Sequence, residues 1–284
     1  MNATNFSQSA YPIFVSTSTT NRAVTLVEVL VVIAVVAILV GLVVPALRDG
    51  REVARRSVCE RRVASHMTVL ACYAADHSDA WPFPFEKDRC EPRALVDGTA
   101  LRSTAVYESG ASLWQYPVLE AYGGRGFHES LICPSDRKTR ADAHRAIASF
   151  GGDETSVRMP LTYFMSMAMI LSPEALDPNH PSMDAKYHVG QTMASVQFTS
   201  RKAAIVEVRP VHDFEYDQEI GVTSLKRSYL TVVAAADGSA GAKQSSVFVP
   251  GVVFDSSVQG VERELMGSGV RLIYTPHGVR GRDW

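Results

Sequence analysis

The feature that most constrains this chain is an almost unbroken apolar run from Val24 to Leu47, which contains a single ionisable side chain, that of Glu28. At about 1.5 Å per residue, a helix over this run reaches roughly 36 Å, which is long enough to cross the hydrocarbon core of a bilayer with some tilt. A carboxylate within such a helix costs on the order of 3 kcal/mol in lipid unless it finds a partner. The run therefore predicts a membrane-spanning helix whose one acid has a specific role.

The residues around that acid form a recognisable pattern. The chain reads Arg22-Ala23-Val24-Thr25-Leu26-Val27-Glu28, and Pro45 lies near the far end of the run. This segment resembles the prepilin-type cleavage and methylation segment of type IV pilins and type II secretion pseudopilins. The resemblance implies that a prepilin peptidase cuts between Ala23, where the family usually has Gly, and Val24, where it most often has Phe. It also implies that the new amino group of Val24 is methylated.

Glu28 and Pro45 fall where that family has its glutamate and its helix-bending proline, the fifth and the twenty-second residues counted from Val24. Since a carboxylate buried among apolar helices is tolerated only when paired, Glu28 is predicted to pair with the Val24 amine of the next subunit and to set the axial register. Pro45 and Gly41 are the expected place of a bend with lost helical hydrogen bonds. The alternatives are a signal anchor with a stray acid and a cleaved signal peptide, whose apolar region would be shorter.

The segment after the run is basic, which affects the predicted orientation. Residues 48–62 contain six arginines and three acids, so a strict count of positive charges would place the following domain in the cytoplasm. Helical spacing pairs Glu52 with Arg55 and with Arg56, which offsets part of this charge. The prepilin spacing therefore decides the prediction, which is a single-pass protein of the bacterial inner membrane with its head in the periplasm.

Helical patterning continues beyond the apolar run. Neither proline nor glycine interrupts residues 51–79, and an apolar stripe recurs every three or four residues, at Cys59, Val63, Met67, Leu70 and Ala74. The predicted organisation is a cleaved leader (1–23), a transmembrane and assembly helix (24–47), a continuation of that helix that packs on the head (48–79) and a globular head (80–284).

The head is predicted to contain short strands, with a hairpin turn at Asp237-Gly238 because Gly accepts a positive φ. A short helix is expected at 112–122. The fold class is α+β, with a long N-terminal helix packed on a small, mostly antiparallel sheet, as in pilins. The strands are expected at 161–168, 203–208, 229–235, 246–254 and 270–274.

Three short segments of the head follow one another in a suggestive order: Cys133-Pro134-Ser135-Asp136, Leu161–Met165 and Ala236–Ser239. They resemble segments of a planctomycete-type group of prepilin proteins named for an H-x9-DG motif. The residue ten positions before Asp237 is Arg227 and not His, so the chain departs from the motif where its name begins. The resemblance therefore implies no histidine-dependent role there.

The four cysteines allow few pairings. Cys59 and Cys72 lie thirteen residues apart on one predicted helix, too far to bridge each other. Cys90 and Cys133 both lie in proline-flanked loops, so a disulfide between them is a candidate in an oxidising compartment; free or otherwise paired thiols are the alternative. No CxxC motif or local Cys/His cluster suggests zinc.

A run of alternating acids is the candidate metal site. Asp213, Glu215 and Asp217 offer oxygen ligands of the kind that Ca²⁺ prefers, and some pseudopilin heads hold calcium in a C-terminal loop. The run lacks the EF-hand pattern, and a solvated acidic loop is the alternative. Any cofactor is therefore expected to be calcium at this loop, or none.

The sequence predicts a non-enzymatic, prepilin-like subunit that joins a type II secretion pseudopilus or a type IV pilus-like filament through its N-terminal helix. Acid–base pairs, a nucleophile elbow and a credible phosphate loop do not stand out. Expected partners are identical or related pilin subunits, the prepilin peptidase and an inner-membrane assembly platform. A net charge of −2 gives no case for nucleic acid. The alternative is a single-span periplasmic protein whose head binds a ligand or acts as an enzyme without polymerising.

Overall fold

The protein forms two compact units, Met1–Asp49 and Gly50–Trp284, of which the second is called the C-terminal unit below. The computed structural model describes residues 25–83, 93–96, 99–102, 114–124, 128–149, 161–182, 185–207, 211–212, 229–250, 252 and 275–284. The boundary between the units lies two residues after the predicted end of the transmembrane segment.

Helix α1 runs from Leu26 to Asp76, 51 residues. It ends because the next residues form a tight turn, in which Ser78 and Asp79 have φ values of 55° and 65°. The Asp79 amide donates to the Ala74 carbonyl over 2.8 Å, which satisfies one of the last free carbonyls of the helix. The helix therefore ends three residues before the predicted limit at Asp79.

The predicted apolar stripe of α1 is confirmed within the C-terminal unit. Its five members are buried, and all of them except Ala74 belong to the same core as the sheet described below. One further residue, His66, is buried on the same face. The stripe follows the i, i+3, i+4 spacing of a helix, so one face is covered while the other remains accessible.

The C-terminal unit contains a four-stranded antiparallel sheet in the order β3-β4-β5-β6. Tyr163 on β3 pairs with Glu207 on β4, and the hairpin between β5 and β6 turns at Gly238, whose φ is 86°. A separate antiparallel pair is formed by β1 and β2. The predictions of an α+β fold and of this hairpin are confirmed. The strands are β1 (Arg93–Val96), β2 (Thr99–Arg102), β3 (Tyr163–Met165), β4 (Ala203–Glu207), β5 (Leu230–Ala235) and β6 (Ala240–Gln244).

Several predicted elements differ in extent or type. The strand expected at 161–168 is shortened because Ser166 accepts a hydrogen bond from the Ala168 amide and starts a 3-10 helix. The strand expected from Ser246 begins instead as a 3-10 helix, and the one at 270–274 lies outside the described residues. The 3-10 helices are Tyr116–Tyr122, Glu129–Leu131, Met167–Met169, Pro173–Leu176, Ala185–Tyr187, Met193–Ser195, Thr199–Arg201, Ser245–Val247 and Gly278–Arg280.

A second helix, α2, spans Arg137–Ser149 and was not predicted. It follows the loop Cys133–Asp136 directly. The Asp136 side chain accepts a hydrogen bond from the Thr139 amide over 2.9 Å and another from the Thr162 hydroxyl over 2.8 Å. Asp136 therefore caps the start of α2 and ties the loop to the residues before β3.

Candidate functional sites in the N-terminal helix and the C-terminal unit

The first turn of α1 is closed by a reciprocal pair of hydrogen bonds between Thr25 and Glu28. The Thr25 amide and hydroxyl both donate to Glu28 Oε2, over 2.8 and 2.9 Å. In return the Glu28 amide donates to Thr25 Oγ1 over 3.3 Å. This is a capping box, in which two otherwise free amides at a helix start are satisfied by side chains. Sequence reasoning missed Thr25, although the T-x-x-E spacing before an apolar run is its signal.

The apolar side chains of this helix are exposed on every face through the first unit. Leu26 is 80% exposed, Ile33 60% and Leu42 71%. A helix that is apolar all round is stable in contact with lipid or with other apolar helices, and not in contact with water. By length and composition α1 is suited to cross a membrane, as a membrane anchor near the N-terminus would be.

Pro45 lies inside α1, and the helix runs through it. Proline has no amide hydrogen, so the carbonyl four residues earlier, that of Gly41, loses its helical partner. Gly41 has no side chain to add to the crowding at that turn. The two residues therefore weaken the helix at one point, while the bend expected there stays a prediction.

Glutamates offset part of the positive charge of the basic segment that follows the first unit. Glu52 lies 3.7 Å from Arg55, as predicted, while Arg56 pairs with Glu60 over 4.0 Å. Arg62 donates to the backbone carbonyl of Glu129 over 2.9 Å. Several of these arginines therefore serve contacts within the C-terminal unit and are not free to bind lipid headgroups.

The structure corrects the predicted disulfide. Cys133 is bonded to Cys59 and not to Cys90, which lies outside the described residues. Both bonded cysteines are fully buried, with 74 residues of sequence separating them. The buried stripe of α1 faces the loop that carries Cys133, so the Cα atoms lie 5.5 Å apart, a normal distance for a disulfide. Cys72 is a free, exposed cysteine.

A buried polar cluster surrounds that bond. His212 Nε2 lies 3.2 Å from Cys133 Sγ and 3.5 Å from a carboxylate oxygen of Glu207, while its Nδ1 lies 2.7 Å from Glu52 Oε1. The same oxygen of Glu52 accepts the Ser135 hydroxyl over 2.9 Å. Burial lowers the pKa of His212 although Glu52 opposes the shift, so the ring is neutral and donates its Nδ1 proton to Glu52.

Glu207 is the most deeply buried acid of this cluster. Its Oε2 accepts the Val232 amide over 3.1 Å, whereas its Oε1, which lies toward His212, has no hydrogen-bond partner among the described residues. Burial raises the pKa of Glu207 well above the usual value for a glutamate. Cys59, Cys133 and His212 bring their ligand atoms within 4.8 Å of one another, so two sulfurs and one nitrogen meet at one buried point. Glu207 Oε1 lies 3.5 Å from that nitrogen.

The sequence-predicted site residues are only partly within the described structure. Glu28 and Pro45 are described, whereas Ala23 and Val24 on either side of the predicted cut lie outside it. The acids proposed for calcium also lie outside it, so that site stays a prediction: Asp213, Glu215 and Asp217.

Comparison with known proteins identifies one relationship. Residues 19–44 match the prokaryotic N-terminal methylation motif, a stretch that contains the predicted cut, Thr25 and Glu28. Neither the curated proteins nor the solved structures include a match to this chain. The finer resemblance to the H-x9-DG group therefore stays a prediction.

The motif and the long apolar helix that carries it fit a prepilin-type pilin or pseudopilin. The four-stranded antiparallel sheet behind that helix completes a pilin-like arrangement. Such a motif implies processing by a prepilin peptidase and assembly with other pilin subunits.

Proposed function

We propose that this chain is a non-enzymatic structural subunit of a type II secretion pseudopilus or a type IV pilus-like filament. A prepilin peptidase cleaves it between Ala23 and Val24, and the amine of Val24 is methylated. The mature subunit remains in the inner membrane until it enters the filament at an assembly platform. There, contacts with neighbouring helices replace the lipid contacts of its apolar helix. The protein needs no cofactor for this role.

The observation that carries the proposal is the position of Glu28. It is the one acid in the apolar run that ends at Leu47, where the described apolar side chains of α1 are exposed all round, and it lies within the methylation motif. Both hydrogen bonds from Thr25 go to its Oε2, so Oε1 is the oxygen that we assign to the amine of a neighbouring Val24. Pairing across subunits removes the cost of an isolated charge among apolar helices, so only the correctly staggered arrangement is favoured.

The disulfide supports a periplasmic location for the C-terminal unit. Disulfides persist in oxidising compartments such as the bacterial periplasm and are rare in the cytosol. The bond between Cys59 and Cys133 therefore favours export, against the simple count of arginines. The pairing of Glu52 with Arg55 and of Glu60 with Arg56 reduces the weight of that count.

Intact-mass analysis of the membrane form tests processing. The expected product lacks 23 residues and carries one methyl group on Val24, and an Ala23→Glu variant stays uncut because the peptidase requires a small residue there. A chain that keeps its leader in cells with an active prepilin peptidase would instead indicate a permanent single-span anchor, and the proposal would be wrong.

Two substitutions separate the charge of Glu28 from its role in the helix start. Glu28→Gln keeps a capping box, since Gln also serves at that position, but removes the charge. We expect it to be inserted and processed yet excluded from filaments. Thr25→Ala removes the cap, at a cost of about 1 kcal/mol, but keeps the charge, so it is expected to assemble. Filaments that form normally with Glu28→Gln and fail with Thr25→Ala would assign the glutamate a capping role only.

A further inference from the structure

The polar cluster around the disulfide has the composition of a metal site, although its residues are far apart in sequence. Cys59 comes from α1, Cys133 from the loop before α2, and His212 from the segment after β4. Glu207 is the last residue of β4. All four side chains are buried, with no more than 5% exposure each. Four separate segments of the chain therefore contribute two sulfurs and one nitrogen that meet at one point, and one carboxylate oxygen that lies 3.5 Å from that nitrogen.

The orientation of His212 is already that of a metal ligand. Its Nδ1–H donates to Glu52 over 2.7 Å, so the lone pair is on Nε2, the nitrogen that lies 3.2 Å from Cys133 Sγ. Histidines that bind zinc almost always donate their other ring hydrogen to a carboxylate or a carbonyl in this way. The Ser135 hydroxyl bonds the same oxygen of Glu52 and helps to hold it in place.

Glu207 provides a second and independent observation. Its side chain is buried, and its Oε1 has no hydrogen-bond partner within the described part of the chain, although Oε2 is bonded to the Val232 amide. Buried polar atoms are normally satisfied, and one left without a partner calls for an explanation. Since the atom lies 3.5 Å from His212 Nε2, a cation bound between them would satisfy both.

We propose that the dithiol form of this protein binds one Zn²⁺ through the sulfurs of Cys59 and Cys133, Nε2 of His212 and Oε1 of Glu207. The four donors supply the complete tetrahedral set of a closed, structural zinc site. Binding requires both thiols and the Glu207 carboxyl in their ionised forms, and the protons that they held pass to solvent. The disulfide form lacks thiolates and does not bind, so the same two cysteines serve either as a covalent crosslink or as metal ligands.

The donor set selects the metal. Thiolate and imidazole ligands suit zinc and similar borderline-soft cations, whereas Ca²⁺ and Mg²⁺ require oxygen ligands.

The first test compares two redox forms of the unaltered protein. Full-length chain in detergent is reduced by a phosphine, which becomes a phosphine oxide while water supplies its oxygen and the two thiol protons. After removal of the reductant without oxygen, zinc is measured by equilibrium dialysis and elemental analysis. We expect one zinc per reduced chain and at least tenfold weaker binding by the disulfide form. Absence of zinc from the reduced chain, or equal binding by both forms, would overturn the proposal.

Cobalt serves as the spectroscopic probe in the variants. Reduced wild type and Cys72→Ser, which changes the exposed cysteine, should show the same thiolate charge-transfer and tetrahedral ligand-field bands. Cys133→Ser and Glu207→Gln should alter those bands. Glu52→Gln should preserve them while weakening affinity by about 10–100-fold, as expected for a group that orients a ligand.

Circular dichroism before metal addition checks that each variant is folded. If Cys133→Ser does not fold, Glu207→Gln and Glu52→Gln still decide the matter because they preserve side-chain volume. Unchanged cobalt spectra and affinity in both glutamate variants, or loss of binding in Cys72→Ser, would refute the assigned ligands.

Discussion

Acidification is expected to destabilise the C-terminal unit through His66. The imidazole is 1% exposed, and its two nitrogens lie 2.7 Å from the Tyr122 hydroxyl and 3.0 Å from the Ser130 carbonyl. The carbonyl only accepts, so Nε2 donates to it and Nδ1 accepts from the tyrosine. Burial lowers the pKa of His66 to about 4, and the nearby charges of Arg62 and His128 act in the same direction.

The sign and size of the effect follow from this pKa. The unfolded chain has a histidine pKa near 6.5, so between pH 6.5 and 4 it binds more protons than the folded chain does. The stabilisation is therefore complete above about pH 6.5 and is lost as the pH falls toward 4. At about 1.4 kcal/mol per pKa unit, lowering the pH from 7 to 5 removes about 2 kcal/mol of unfolding free energy through His66 alone.

Thermal unfolding of the full chain in detergent at pH 7 and pH 5 measures the effect. His66→Gln removes the titrating group, and His77→Gln is the matched control, because His77 is exposed and directly follows the end of the same helix. Other groups of the C-terminal unit also have shifted pKa values: burial lowers the pKa of His212 and of His188, and it raises that of Glu207, whose contribution has the opposite slope. These contributions cancel when the variants are compared with wild type.

The expected result is a pH-dependent loss that is smaller in His66→Gln than in wild type by about 2 kcal/mol, or roughly 4–8 °C in Tm for a unit of this size. The His77→Gln variant should behave as wild type does. An identical pH dependence in wild type and His66→Gln would show that His66 is not held neutral by burial, and the reasoning would fail.

Two further substitutions test how the C-terminal unit is held together. Cys133→Ser opens the loop of 74 residues that Cys59 closes and is expected to lower the unfolding free energy by about 4 kcal/mol in non-reducing buffer, whereas Cys72→Ser should have no effect; equal stabilities would refute the crosslink. Asp283→Asn leaves the fully buried ammonium of Lys202, 3.6 Å away, without its counter-charge and is expected to cost about 3–5 kcal/mol in thermal unfolding. Adding Lys202→Met should recover most of that loss, and a failure to recover would mean that the charge is not its cause.

Local patterns in the sequence predicted the parts of the fold that local physics determines. The apolar stripe of α1 and the turn at Gly238 follow from helical periodicity and from the freedom of glycine, and both are found as expected. The T-x-x-E spacing at Thr25 is equally local, so the capping box was within reach of sequence reasoning. The prediction of a strand from Ser246 was wrong, because a short stretch of β-favouring residues does not show where the chain turns away from a sheet.

The buried cluster was beyond sequence reasoning because its members meet only through tertiary folding. Spacing excluded a bond between Cys59 and Cys72 but carried no information about Cys133, 74 residues further on. His212 lies 79 residues from Cys133 and 160 from Glu52, so no motif of fixed spacing could connect them. The four segments are α1, the loop before α2, the end of β4 and the residues 211–212 that follow it. They converge because they enclose one core.

The crosslink between Cys59 and Cys133 also affects how the protein responds to mechanical load. It attaches the buried face of α1 by a covalent bond to the loop before α2. Tension applied along that helix would reach the loop through a bond that does not slip, whereas side-chain packing alone can yield by sliding. In a retracting or shear-loaded fibre, α1 of such a subunit would therefore stay packed on the C-terminal unit. The same force would pull out a helix that has no disulfide to that unit.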